Sequence, residues 1–264
     1  MTMPKQYAIE ALASQWQTSG ISQGDVLLIH SNIKRVLIFH RRRYADWTVS
    51  DILQSLLLAV GARGTVVFPL FNFDFTKGAH FDIRSTPSQM GSLTEAARVW
   101  PGAVRTGHPI YSFAAIGAAS REFDGICNHS GYGIDSPFAL MLKLSAKIAV
   151  LDLPEQDSMT FYHHAEEMHN VSYRYRKTWA GLYTDSLGNT QMREFSLFVR
   201  NIDQGVLTAV DPMAEKLWLA GLYKGHRPGI ESGMRVIDAN ALYRETSAVI
   251  SAGKALGLLY RIDS

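Results

Sequence analysis

The segments GDVLLIHS (residues 24–31) and GTVVFPLF (residues 64–71) decide the fold. Each is a short, nearly continuous apolar run set off by a glycine, which is the pattern of a strand buried on both faces. Between them, TVSDILQSLLLAV (48–60) opens with Thr48 three positions ahead of Asp51 and stays apolar up to Gly61. That is a capping pattern followed by a helix. Strand, helix and strand in this order imply a right-handed parallel crossover.

Working outward, residues 3–19 read as an amphipathic helix, with Ile9, Leu12 and Trp16 at helical spacing and Gly20 beyond its end. Further helices are expected near 91–99 and 137–144, the second opened by Ser136-Pro137, and strands near 111–116 and in KIAVLDL (147–153). Residues 171–264 are more mixed, with a hairpin-like GLYTDSLGNTQMREFSL (181–197) and a helix at about 239–256. No repeat, low-complexity tract or linker interrupts the chain. The expectation is a single domain over 1–264, an αβα layered sandwich on a central, largely parallel or mixed sheet. Ligands gather at the carboxyl ends of strands in such sheets, so the loops beginning at His30, Pro69 and Leu153 are expected to converge.

Composition narrows the function classes. With 47% hydrophobic and 19% charged residues, the chain is that of an ordered globular protein. No apolar run reaches the roughly 18 to 20 residues of a membrane helix. Glu10 and polar neighbours occupy the place of a signal-peptide core. A soluble, cytoplasmic protein is expected. Cys127 is the only cysteine, which excludes an internal disulfide, and no base beside it marks a nucleophile. Lys and Arg number 26 against 24 Asp and Glu, too even a balance for a dedicated nucleic-acid binder. The stretch NIKRVLIFHRRRY (32–44) nevertheless holds Lys34, Arg35, Arg41, Arg42 and Arg43 without an acid. It reads as a solvated loop or as an anion-binding edge.

Chemistry concentrates in DSMTFYHHAEEMHN (157–170). If Thr160 caps a helix, His163 lies in its first turn with Glu166 and Glu167 three and four positions on, so either carboxylate can share its face. A carboxylate that accepts from one ring nitrogen fixes the tautomer and leaves the other free to take a proton. Such a base is worth about 10² to 10⁴ in rate. A metal site also needs a histidine beside an acid, but the H-E-x-x-H pattern is absent and His164 points about 100° from His163 on a helix. A purely structural helix face is the third reading. In HSNIKR (30–35), His30 ends a strand, and the backbone N–H groups of Ser31, Asn32 and Ile33 can face a ligand; beside Lys34 and Arg35 they make a candidate phosphate seat. GAVRTGHPIYSFAAIG (102–117) adds Thr106 and His108 as binding candidates, although a histidine before proline is more often structural.

These pieces recur in an order that resembles the aminoglycoside 3-N-acetyltransferase family: GDVLLIHSN, GARGTVVFP, FDIRSTPSQMGSLTEAARVWPGAVRTGHPIYSFAAIG, YGIDSPF and TFYHHAEE, then VSYRYRKTW, over about residues 20 to 180. The resemblance implies an αβα enzyme that acylates an amino group of an amino sugar with acyl-CoA or acetyl-CoA, without a metal. Its T-x-x-H-x-x-E segment falls on Thr160, His163 and Glu166, which makes His163 the base. Two departures stand out: Ser31-Asn32 where the family has two serines, and Leu153-Pro154 where a glycine is common. Members that act on polycationic aminoglycosides tend to be acidic, whereas this chain is weakly basic. A basic rim attracts phosphate. The expected acceptor is therefore a small-molecule, nucleotide-linked amino-deoxyhexose, for example a dTDP sugar used in surface polysaccharide or O-antigen synthesis. The alternative is an aminoglycoside, as in antibiotic resistance; a non-catalytic sugar-binding protein and a metal-dependent hydrolase are further alternatives. No nucleic-acid or membrane partner is expected, and the oligomeric state stays open, a homodimer being one option.

Overall fold

The computed structural model describes residues 4–263. Its elements in chain order are α1 (Lys5–Thr18), β1 (Val26–Ser31), α2 (Lys34–Arg41), α3 (Val49–Val60), β2 (Thr65–Pro69), β3 (Phe81–Asp82), α4 (Ser92–Arg98), β4 (Val104–Arg105), β5 (Phe113–Gly117), α5 (Pro137–Lys143) and β6 (Lys147–Leu151). The second half continues with α6 (Tyr162–Met168), β7 (Arg174–Thr184), β8 (Thr190–Arg200), β9 (Val206–Thr208), α7 (Asp211–Leu219), β10 (Lys224–Gly225), β11 (Met234–Asp238), α8 (Ala239–Ser251) and β12 (Tyr260–Ile262). The main sheet has the order β10-β11-β6-β1-β2-β5-β4.

The crossover predicted from residues 24–71 is present. Strand β1 pairs in parallel with β2, and α3 between them starts with the expected box, Asp51 accepting from the Thr48 N–H at 2.7 Å. Strand β6 joins β1 in parallel on the other side, with His30 opposite Val150. The outer strands β5 and β11 run antiparallel to β2 and β6, so the sheet is mixed.

Alternation along the strands divides the core into two layers. Leu27, Ile29, Val66, Phe68 and Leu151 meet α1, α3 and α4 through Leu12, Trp16, Leu53 and Leu93. Leu28, Val67, Ile148 and Val150 meet Phe138, Tyr162 and Leu242 from α5, α6 and α8, together with Phe161 just before α6. Strands β7 and β8 form the expected hairpin on a separate sheet with β3, closed by Asp185, whose Oδ1 accepts from the N–H groups of Leu187 and Asn189. No helix among the described residues is long and apolar enough to cross a membrane.

The crossover from β1 to β2 packs on one face through α3, while α5 leads into β6 on the other. The carboxyl ends of β1 and β6 therefore part at a topological switch point, the place where open α/β sheets leave a crevice. The chain segment after β1 differs from the expected loop. Residues 34–41 are helix α2, started by Asn32, whose Oδ1 accepts from the Lys34 N–H at 3.1 Å, and anchored by buried Val36.

Candidate active site

Helix α6 begins at Tyr162, so Thr160 is not its cap. The Phe161 position makes no side-chain cap bond, and the turn is held instead by the His163 N–H donating to the Thr160 carbonyl at 3.1 Å. The Thr160 hydroxyl oxygen is buried without a partner among the described residues. His163 does lie in the first turn, and three-residue spacing brings Glu166 onto its face. The His163 Nδ1 to Glu166 Oε2 distance is 2.8 Å. An ionised carboxylate can only accept, so Nδ1 carries the proton and Nε2 is left with its lone pair. Among the described residues nothing bonds to Nε2, and the His163 side chain is 16% exposed.

Glu167 does not share this role. Its oxygens accept from Ser130 Oγ and from Arg176 Nη2, both at 2.8 Å. His164 is buried beside Phe138, Phe161 and Tyr243 on the layer of α6 and donates from Nδ1 to the Tyr132 carbonyl at 2.7 Å. No group of three His, Cys, Asp or Glu among the described residues is arranged to hold a metal.

A residue without an assigned role in the sequence completes the arrangement. Arg174, at the start of β7, places Nε 2.7 Å from Glu166 Oε2 and donates from Nη1 to the Phe198 carbonyl at 3.1 Å. Both charged side chains are almost wholly buried. Burial lowers the His163 pKa below its ordinary value, and the Arg174 charge lowers it further, against the opposing pull of Glu166. Burial works to raise the Glu166 pKa, but Arg174 and His163 outweigh it and the carboxyl stays below its ordinary value. At neutral pH the unit is a neutral imidazole, a carboxylate and a guanidinium.

The phosphate candidates fare unequally. Asn32 and Lys34 have their N–H groups taken, by the Leu151 carbonyl at 2.8 Å and by Asn32 Oδ1. Ile33 is buried and Ser31 ends β1 half-buried. Arg35 is committed to Asp152, donating from Nε at 2.8 Å and Nη2 at 3.0 Å, while Nη1 reaches the Glu231 carbonyl at 2.7 Å. Gly229 donates to the same Asp152, and Gly233 (φ +65°) lies so near that a Cβ there would meet Asp152 Oδ1 at 1.9 Å. Among the described residues the Lys34 ammonium has no hydrogen-bond or ion-pair partner. His30 is buried, with Nε2 unpartnered among the described residues.

Thr106 and His108 stand apart from this loop. Both are fully buried and brace the turn before β5. Thr106 Oγ1 accepts from the Phe113 N–H at 2.9 Å. His108 Nδ1 accepts from the N–H groups of Ile110 and Tyr111 at 3.2 and 3.0 Å, so its Nε2 donates to the Ser196 carbonyl at 3.3 Å. The structure makes them parts of the core rather than ligand contacts.

Burial first, and a neighbouring charge second for His30, push the pKa values of His30 and His108 down to about 3. An unfolded histidine takes a proton near pH 6.5, so between about 6.5 and 3 the unfolded chain binds more protons than the folded one. Stability is therefore full above that window and falls as pH drops into it. Urea midpoints at pH 7 and pH 5 should show the loss, with a smaller difference in His108→Gln; equal pH sensitivity in the two proteins would refute the assignment to His108.

A family model described as aminoglycoside 3-N-acetyltransferase matches residues 28–249. Among curated proteins, aminoglycoside N(3)-acetyltransferase IX of Micromonospora chalcea is 31% identical over 174 residues, covering 58% of this chain and 59% of its own. Aminoglycoside N(3)-acetyltransferase VII of Streptomyces paromomycinus is 28% identical over 179 residues, covering 60% and 59%. The match thus spans 59% of the length of these relatives. Among solved structures, aminoglycoside acetyltransferase AAC(3)-Xa superposes with a TM-score of 0.77 at 23% identity, covering 94% of this chain and 92% of that one. AAC-IIIb in a binary complex with CoASH gives 0.76 at 21% identity, covering 93% and 96%.

These findings overturn the nucleotide-linked acceptor and its place in surface polysaccharide synthesis, since the matched family and the named relatives are aminoglycoside enzymes. The physical reason lies in where the basic run sits. It occupies α2 and the turn after it, which pack with α1 and α3 on one layer of the core, while His163 belongs to α6 on the other. Arg35 is neutralised by Asp152, and Arg41 Nε donates to the Trp47 carbonyl at 3.1 Å. The run therefore does not report the charge around His163.

Proposed function

Because the chain belongs to the aminoglycoside 3-N-acetyltransferase family, we propose that it is an enzyme that transfers the acetyl group of acetyl-CoA to an amino group of an aminoglycoside. The observation that carries this reading is the His163–Glu166 contact of 2.8 Å with Nε2 left free, in a chain whose family match runs through that segment. In the reaction the neutral amine nitrogen gives its lone pair to the thioester carbonyl carbon, the N–C bond forms and the C–S bond breaks. His163 Nε2 takes the proton that the amine loses and passes it to the departing thiolate, so CoA leaves as the thiol. Glu166 holds the ring in the tautomer that can do this and stabilises the imidazolium between the two transfers. Arg174 keeps Glu166 ionised. Thr160, whose buried hydroxyl has no partner among the described residues, is assigned to the reacting groups rather than to the helix.

Free-thiol release from acetyl-CoA tests the proposal. Aminoglycosides carrying a 3-amino group should each elicit release, with a nucleotide-linked amino sugar near the background. No aminoglycoside-dependent release at any pH from 6 to 9 would reject the reading.

A further inference from the structure

The segment NHSGYG (128–133) takes no part in the proton transfers, yet it is tied to α6 at three places. Ser130 Oγ donates to Glu167, and the Tyr132 carbonyl accepts from His164. The third contact falls on the base itself. The Tyr132 ring meets the His163 imidazole edge to face, with centroids 5.2 Å apart and planes at 62°. Aromatic rings attract one another in that geometry.

The segment has little room to give way. On β8, the Ser196 carbonyl accepts from the Gly131 N–H at 2.9 Å, and the Ser196 N–H donates to the His129 carbonyl at 2.8 Å. The backbone lies so close to that strand that a Cβ on Gly131 would meet the Leu197 side chain at 2.4 Å, so only glycine fits. Tyr132 is 3% exposed, with the rings of Tyr111 and Phe138 centred 4.8 and 5.9 Å from its own. Phe71 backs Tyr111 in turn, at 4.2 Å.

The hydrogen bond to Glu166 fixes which nitrogen of His163 carries the proton, but not where the other one points. The outer torsion of a histidine is broad, and a ring held only at Nδ1 can swing about that bond. Nε2 then sweeps an arc, and a misplacement of about 1 Å can cost about 10²-fold in rate. We propose that Tyr132 is a positioning residue for the reaction: its ring stops that swing and sets the angle at which Nε2 meets the amine, and residues 128–133 carry the hold from β8 to α6. This rests on His163 as the base of acetyl transfer.

Tyr132→Leu removes the ring, and Tyr132→Phe only its hydroxyl. In the leucine variant kcat should fall at least about tenfold with KM for acetyl-CoA unchanged, while the phenylalanine variant should match the parent. The second measurement is the titration of His163 itself, followed by NMR on protein with labelled histidine, the signal being identified by its loss in His163→Asn. Burial is the largest cause holding this pKa below its ordinary value. Taking away the wall admits water, so the midpoint should rise in Tyr132→Leu and stay in place in Tyr132→Phe. The charged groups that act on the ring, Glu166 on α6, Arg174 on β7 and Arg200 on β8, are the same in all three proteins. Tyr111, Tyr132 and Tyr173 do not titrate alongside it, since burial raises all three phenols. If the leucine variant does not melt cooperatively, Tyr132→Met, which fills more of the space, carries both measurements. An unchanged midpoint in the variant without the ring, or a phenylalanine variant as slow as that one, would overturn the proposal. The titration needs neither acetyl-CoA nor an acceptor, so absence of acetyl transfer to aminoglycosides would reject the reaction while the hold on the ring is still read separately.

Discussion

His163→Asn should fold as the parent does, bind CoA equally well, and release thiol at least about 10²-fold more slowly, the scale on which a positioned base contributes. Asparagine keeps a donor toward Glu166 but has no lone pair that can take a proton. The pH profile supplies a second reading. Catalysis needs the neutral ring, so kcat/KM should rise with pH and level off, and because burial and Arg174 disfavour the imidazolium the midpoint should lie below the ordinary histidine value of about 6.5. Arg174→Gln removes that cation and should move the midpoint up. A His163→Asn enzyme within a few-fold of the parent would end the assignment.

The largest expected loss of stability comes from a group far from any motif. Glu155 lies buried at the start of the loop before α6, its Oε1 accepting from the hydroxyls of Tyr162 and Tyr223 at 2.5 and 2.7 Å and its Oε2 from Arg235 at 3.0 Å. Glu155→Ala would leave the Arg235 guanidinium buried without its anion and two tyrosine hydroxyls without an acceptor. Breaking one partner of such a pair costs about 3 to 5 kcal/mol. Urea unfolding should show it, and Glu155→Leu combined with Arg235→Met should recover most of it, since an apolar pair removes both charges together. A loss under about 1 kcal/mol in the single variant would show that water reaches the site. Tyr162 directly precedes His163, so the same variant should also slow turnover.

What could be read from the sequence was whatever local pattern decides. Buried strands 26–31 and 65–69, the Thr48–Asp51 box and the pairing of His163 with an acid one turn on all depend on neighbours in the chain, and each is present. The reading failed where the partner is remote. Thr160 has the composition of a cap, but the segment from Glu155 to Phe161 is fixed by Arg235, 80 residues away, and the helix starts later. Helix α2 looked like a solvated loop because its charges dominate; the contact of Val36 with the α1 and α3 layer makes it a helix. Arg174 had a signal that went unused: Arg174 and Arg176 alternate on a strand shortly after Glu166 and Glu167, and the two basic residues pair with the two acids in order. Thr106 and His108 carried ligand chemistry by residue type, yet their polar atoms are spent on the turn that holds them. Net charge misled for a different reason, since a count along the chain does not say which side of a sheet the charge occupies.

The division of the core into two layers has a consequence for how such a protein can change over generations. Side chains packed with α1 and α3 and side chains packed with α6 lie on opposite faces of the sheet, and alternate residues of the same strands belong to one or the other. Substitutions on the two sides have no common neighbours, so their effects should simply add. A lineage can then vary the layer that carries α6 while the layer that carries α1 and α3 is inherited intact.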